Sequence, residues 1–262
     1  MDYDKILNTA IKAAKKAGDI ILHNKAKTIE IKSKSDYVTE VDVKCQDEIK
    51  SIISAEFPDH KFLAEEDGGS FTPQDKLWII DPLDGTTNFI HDLKHSAVSI
   101  AYFSNDEVKV GVIYLPYDDE LFYAVKGKGA FLNKAKISIS KENDISRSLI
   151  ATGMPFRIPE KKEAYFDCLS DVLGKCSGLR RMGSAAIDLA YIACGRFDGF
   201  FEGWLSPWDI AAGILIIEEA GGKITDFKGE KEYFDHGCII AANRIIHEEL
   251  LNTIKIKLGE KQ

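Results

Sequence analysis

The chain has 262 residues, 45% hydrophobic and 29% charged, with a formal net charge of −8. That length carries one large domain or two closely packed halves around a sizeable core, and the acidic balance excludes the broad basic surface of a general nucleic-acid binder. Five widely spaced cysteines form no C-x-x-C pair, which argues against a zinc site and for a reducing, cytoplasmic setting.

Taken in chain order, the first element is amphipathic. Between Tyr3 and Asn24 the apolar residues Ile6, Leu7, Ala10, Ile11, Ala14, Ala17 and Ile21 recur at helical spacing, with lysines opposite. No signal-peptide pattern precedes it, and no apolar run approaches a membrane span. Ile31 to Asp36 interleaves lysine with serine and reads as a mobile loop or a hairpin. A helix then runs through Cys45, Ile49, Ile52 and Ile53 and is stopped by Pro58. Phe62-Leu63-Ala64 reads as a short strand ending on Glu65-Glu66-Asp67, and Gly68-Gly69 turn the chain.

The run from Leu77 to Ile80 has the composition of a buried strand and stops on Asp81. Pro82 biases Asp81 toward an extended backbone, which aims its carboxylate out of the strand end. Asp84, Gly85, Thr86 and Thr87 follow as a carboxylate, a permissive turn and a helix start. Carboxylates attract hard cations such as Mg²⁺, and the free N–H groups of a helix start attract anions. One spot offering both suits a metal-bridged phosphate. The plainer alternative is that Asp84 only caps the helix and Asp81 only ends the strand.

Strands over 97–103, 108–114 and 121–125, separated by turn signals, predict an antiparallel meander. The polar stretch from Lys141 to Ser148 marks a subdomain boundary. Beyond it, helices over 159–173, 184–194, 207–220 and 244–257 alternate with strands over 149–151, 197–202, 223–225 and 239–242. Asp209 falls in the first turn of a helix that is apolar all round, hence buried. An acid there complements the helix dipole, but a buried carboxylate also calls for a positive partner.

These stretches together resemble the inositol monophosphatase family. The residues that carry the resemblance are Trp78 to Phe89 (WIIDPLDGTTNF), Trp208 to Gly213 (WDIAAG) with Glu219 to Gly222, the pair Glu65-Glu66, and the D-x-V-T-x-x-D pattern from Asp36 to Asp42. Gly183 to Tyr191 and Leu205 to Asp209 read like the bacterial members. Two positions depart from the usual pattern, Ala64 for Gly and Tyr37 for Leu.

The resemblance implies an α/β (α+β) fold, a layered αβαβα sandwich formed by one domain, 1–262. Its subdomain 1–145 would carry the metal motifs. Subdomain 146–262 would supply the substrate side and one metal ligand. It also implies a Mg²⁺-dependent, lithium-sensitive phosphomonoesterase holding two to three ions. Glu65, Asp81 and the Leu83 carbonyl would hold the first ion, and Asp81, Asp84 and Asp209 the second, with Glu65 reaching a third. Thr86, backed by Asp42, would orient the attacking water that the metals activate. Gly85 and Thr86 would receive the phosphate beside Asp84 and Asp209. Glu202 and the Ala185 N–H would hold the polyol, with Gly183 and Ser184 shaping that wall; alternatively Glu202 is a solvated strand end. Arg180-Arg181 is a substrate contact, a partner-subunit contact or a surface basic pair. His91 and His95 read as structural, since Mg²⁺ prefers oxygen.

The leading expectation is hydrolysis of inositol 1-phosphate by a cytoplasmic homodimer. The alternatives are fructose 1,6-bisphosphate, histidinol phosphate or a 3′,5′-bisphosphate nucleotide as substrate, and, in another class, association with the transcription machinery.

Overall fold

The computed structural model describes residues 2–33, 36–156 and 158–260. Helix α1 (Tyr3–His23) is followed by the antiparallel hairpin of β1 (Ile29–Ser33) and β2 (Asp36–Thr39). The hairpin settles the choice left open for that polar stretch; Lys34 and Ser35 lie outside the described residues. Helix α2 (Glu40–Glu56) starts on a capping box in which Thr39 and Asp42 satisfy each other's backbone N–H groups.

A seven-stranded sheet follows. It contains β3 (Lys61–Ala64), β4 (Leu77–Asp84), β5 (Ala97–Ser104), β6 (Glu107–Leu115), β7 (Glu120–Val125), β8 (Ala130–Leu132) and β9 (Ala135–Lys136), hydrogen-bonded in that order. The short helix α3 (Thr86–Ile90) lies between β4 and β5. The predicted meander is present, and β8 and β9 extend it.

The second sheet has five strands: β10 (Leu149–Thr152), β11 (Gly178–Arg180), β12 (Gly199–Glu202), β13 (Lys223–Thr225) and β14 (Ile239–Ala242), ordered β11-β10-β12-β14-β13. Helices α4 (Lys162–Leu173), α5 (Ala185–Ala193), α6 (Pro207–Glu219), α7 (Tyr233–His236) and α8 (Arg244–Leu258) connect and cover these strands. A 3₁₀ turn, Pro159–Lys161, opens the segment expected to be wholly α-helical.

The order of layers follows from where each strand's alternating side chains go. Trp78 and Ile80 of β4 pack with Ile100 of β5 against α1 and α2. Leu77, Ile79 and Ala101 face the other way, onto α5 and α6. Beyond those helices, Phe200 and Ala241 of the second sheet join the same cluster. Phe201 and Ile240, on its far face, pack against α4 and α8. The result is a five-layer αβαβα sandwich, as the motifs implied.

Helix α6 is held very close to the first sheet. A Cβ at Gly111 of β6 would lie 2.7 Å from the Ala212 carbonyl oxygen of α6, so that strand admits no side chain there. Among the described residues no helix is long and apolar enough to cross a membrane.

Candidate metal centre

The centre is built at the ends of β3 and β4. These strands are parallel with Ala64 opposite Ile80, so Glu65 emerges beside Asp81. Strand β4 does not stop at Asp81 as the sequence suggests. Asp81 pairs with Ser99 and Asp84 with Ala97, so one extra β4 residue is accommodated between them. This is a bulge, and it tolerates Pro82, which has no N–H to give the ladder. Gly85 then turns the chain with φ of 94°, a conformation that a side chain disfavours, and α3 begins at Thr86.

Each acid is fixed by a donor on one oxygen. Asp81 Oδ1 accepts from Leu83 N at 3.0 Å. Asp84 Oδ2 accepts from Ser184 Oγ at 2.6 Å and from Ala186 N at 2.7 Å. Asp209, the third residue of α6, accepts from Ser206 N at 2.7 Å on Oδ2. Oriented in this way, Asp81, Asp84 and Asp209 present oxygens that all lie within 4.8 Å of one another. Glu65 lies close enough to Asp81 for its charge to act on it, and Lys32 of β1 pairs with Glu65 at 3.5 Å and with Glu66. Asp209 is half-buried and opens onto the cleft, whereas its apolar helix alone suggested full burial.

The electrostatics of this cluster are unfavourable without a cation. Burial, then the charges of Glu65, Asp84 and Asp209, drive Asp81 well above the usual carboxylate range. Asp209 is driven the same way by burial and by Asp84 and Glu65. Burial also raises Asp84, opposed by its bonds from Ser184 and Ala186 and by Arg181. Glu65 is pushed up to about 7, chiefly by burial, with Lys32 opposing. Crowded carboxylates relax by taking protons or by taking a divalent ion. An all-oxygen donor set preoriented by main-chain N–H groups fits a hard cation such as Mg²⁺.

Next to the acids, Thr86 Oγ1 donates to Asp42 Oδ1 at 2.9 Å and approaches the Leu83 carbonyl at 3.1 Å. Asp42 is fully buried, which raises its pKa against the bonds it accepts from Thr39 and Thr86. The acids open into a cleft of about 740 Å³ whose far wall carries Thr152, Gly153, Gly183, Ala185 and Glu202. The Glu202 carboxylate is seated on Gly153, where a Cβ would come within 1.6 Å of Oε1. Ser184 lines the cleft, but its hydroxyl is engaged by Asp84 and also accepts from Ile187 N at 3.3 Å as the cap of α5. Arg181 lines the same wall with its guanidinium 5.3 Å from the Phe156 ring centre, while Arg180 points its Nη1 to the Leu179 carbonyl.

Four site residues were not singled out from the sequence. Asn88 donates to the carbonyls of His95 and Met182, at 2.9 and 3.0 Å, and so ties α3 to the strand-to-helix turn before α5. Lys32 closes the outer edge of the acid cluster. Gly153 seats Glu202, and Asp188 lies in the cleft wall. Of these, Asn88 and Asp188 lie inside stretches that the sequence offered as signals, Trp78 to Phe89 and Gly183 to Tyr191.

A sequence model of the inositol monophosphatase family matches residues 2–258. The relative Nus factor SuhB of Haemophilus influenzae is 43% identical over 259 residues, 97% of each chain. The solved structure of extragenic suppressor protein suhB from Bartonella henselae aligns with a TM-score of 0.91 at 40% identity, covering 96% of this chain and 98% of that one. The IMPase of Thermotoga maritima aligns at 0.89 and 35% identity, covering 98% and 99%. Two structures at 26% identity and a TM-score of 0.81, SaIMPase-II with inositol monophosphate bound and an IMPase/NADP phosphatase complexed with Mg²⁺ and phosphate, cover 97% and 96% of this chain. The chain belongs to the inositol monophosphatase family of metal-dependent phosphatases.

Proposed function

We propose that the protein is a Mg²⁺-dependent phosphomonoesterase that hydrolyses inositol 1-phosphate or a closely similar polyol phosphate. The observation that carries this reading is the meeting of Asp81, Asp84 and Asp209 within 4.8 Å in one cleft with Gly85, Thr86 and Glu202. Relatives in the family with inositol monophosphate, or with Mg²⁺ and phosphate, in their structures support it.

In this reading Glu65, Asp81, Asp84, Asp209 and the Leu83 carbonyl hold the metal. Bound there, Mg²⁺ would neutralise the acids, lower the pKa of water and stabilise the departing oxygen. The chain's own groups do the rest. Thr86 gives its proton to Asp42, so its oxygen is left as an acceptor and orients a water for attack. The N–H groups of Gly85 and Thr86 bond the phosphate oxygens and stabilise charge that builds on them. Asp42, already disposed to hold a proton by its burial, receives the proton relayed through Thr86. A bond forms from water oxygen to phosphorus, and the bond from phosphorus to the polyol oxygen breaks. The polyol oxygen takes a proton from a second, solvent water, whose hydroxide is neutralised by the proton that Asp42 gives back. Glu202 and the Ala185 N–H orient the polyol.

Phosphate release from a panel of phosphomonoesters tests this reading. Inositol 1-phosphate should outrank fructose 1,6-bisphosphate, histidinol phosphate and a 3′,5′-bisphosphate nucleotide, and turnover should vanish with chelator and return with Mg²⁺. Turnover that ignores chelator would exclude the metal assignment. A second reading, a binding role in transcription, is favoured by the name Nus factor that the SuhB relatives bear. Capture of transcription proteins by an inactive Asp84→Asn variant would support it alongside catalysis.

A further inference from the structure

A second acid faces the cleft on the polyol side. Asp188 lies in α5, four residues beyond Ser184 and two beyond Ala186, the groups that hold Asp84. It is 1% exposed, and it lines the cleft together with Glu202 and Ala185. Among the described residues no hydrogen-bond donor reaches its Oδ1. The charges that bear on it most are Glu202 and then Asp84, with Arg181 opposing, so it neighbours both the polyol acid and a metal acid. It is not among the acids close enough to share an ion.

Helix capping does not account for this residue. Ser184 already caps α5 with its side chain, and a buried polar atom with no partner costs stability that an apolar residue would not. The cost makes sense when the missing partner arrives with the ligand. The Glu202 carboxylate lies against Gly153, and Asp188 and Glu202 line the same cleft as the metal acids.

We propose that Asp188 is a specificity-determining residue. Its Oδ1 accepts a hydrogen bond from a substrate hydroxyl beside the one that Glu202 holds. The cleft thereby selects phosphomonoesters of polyols with neighbouring hydroxyls over esters of alcohols that lack them. This rests on the phosphatase reading above.

The test is steady-state kinetics of the wild type, Asp188→Asn and Asp188→Ala on myo-inositol 1-phosphate and on phenyl phosphate, with Mg²⁺, together with thermal melts. In Asp188→Ala, kcat/KM for the inositol ester should fall on the order of ten- to a hundredfold further than for the phenyl ester, as leaving a buried substrate hydroxyl without its partner predicts. Asp188→Asn keeps an acceptor and should recover part of the discrimination, and neither variant should melt below the wild type. Equal losses on the two esters, or no loss on either, in an enzyme whose wild type turns over both would overturn this inference alone. That pattern is also what a carboxyl merely bridged by structural water predicts. A wild type inactive on both esters would overturn the phosphatase reading and this inference with it. If Asp188→Ala does not fold, the same comparison on Asp188→Asn decides, with a smaller expected loss confined to the inositol ester.

Discussion

Among the described residues, two groups of three acids each bring carboxylate oxygens within 4.8 Å of one another, and they are built differently. In Asp226, Glu230 and Glu232, the two glutamates are exposed. Asp226 there accepts from Lys228 N and Glu230 N, both at 2.8 Å, within four residues of sequence. That is a turn stabilising itself. In Asp81, Asp84 and Asp209, the anchoring donors come from three separate elements, and one of them, Ser184, reaches Asp84 across 100 positions. Asp81 and Asp209 are anchored by near neighbours, Leu83 and Ser206. What marks this group as a prepared site is that acids from distant segments are crowded above their ordinary range together, with Asp84 clamped by remote donors.

The contrast can be broken most sharply at its centre. Asp81→Asn should lower phosphate release at saturating Mg²⁺ by about a thousandfold or more, because it removes charge that the reacting phosphate depends on; near-normal turnover would place the metal elsewhere. Ser184→Ala leaves every proposed ligand in place and removes only a bond to Asp84. It should weaken Mg²⁺ binding by roughly ten- to a hundredfold, read as the Mg²⁺ concentration for half-maximal activity. An unchanged Mg²⁺ requirement would show that the remote donor does nothing.

The third prediction concerns stability without cation. Glu65 titrates at about 7 in the fold, against 4.5 for an ordinary glutamate. Between those values the folded chain holds a proton that the unfolded chain has released, so stability is lost as pH rises through that window. In chelator, wild type compared with Glu65→Gln should lose about 3 kcal/mol between pH 5 and pH 8 in urea unfolding. The buried His247, lowered to about 4, and His95 act oppositely, weakening the fold as pH falls below 6.5. They are shared by both proteins and cancel. A difference that is flat with pH would detach Glu65 from the cluster. The smallest expected effect is the control: Asp226→Asn should leave kcat/KM within about twofold, and a large loss would erase the distinction between the two groups.

Much of this was legible from sequence because the signals were local. Amphipathic spacing announced α1, and the acids at Asp81, Asp84 and Asp209 stood beside a proline, a glycine or a helix start. What was not legible depends on pairing between distant segments. The bulge that carries β4 through Asp84 exists only against Ala97 and Ser99 of β5. The three-residue strands β8 and β11 and the two-residue β9 are too short to show a period of two. Asn88 looked like part of a helix start, and its contact with Met182 spans 94 positions. Asp188 stood inside the Gly183 to Tyr191 stretch but was given no role of its own, and only the fold shows that the cap of its helix is already supplied by Ser184.

Helix α6 acts as a shim between the two sheets. Its backbone rests directly on the bare strand surface at Gly111, so the clearance between Asp209 and the strand-end acids is set by the helix's own girth. A methyl group added at Gly111 would widen that clearance without altering any ligand. For the proposed cation ligands this predicts that Gly111→Ala, a change buried in the apolar middle layer, alters the preference among ions of different radius.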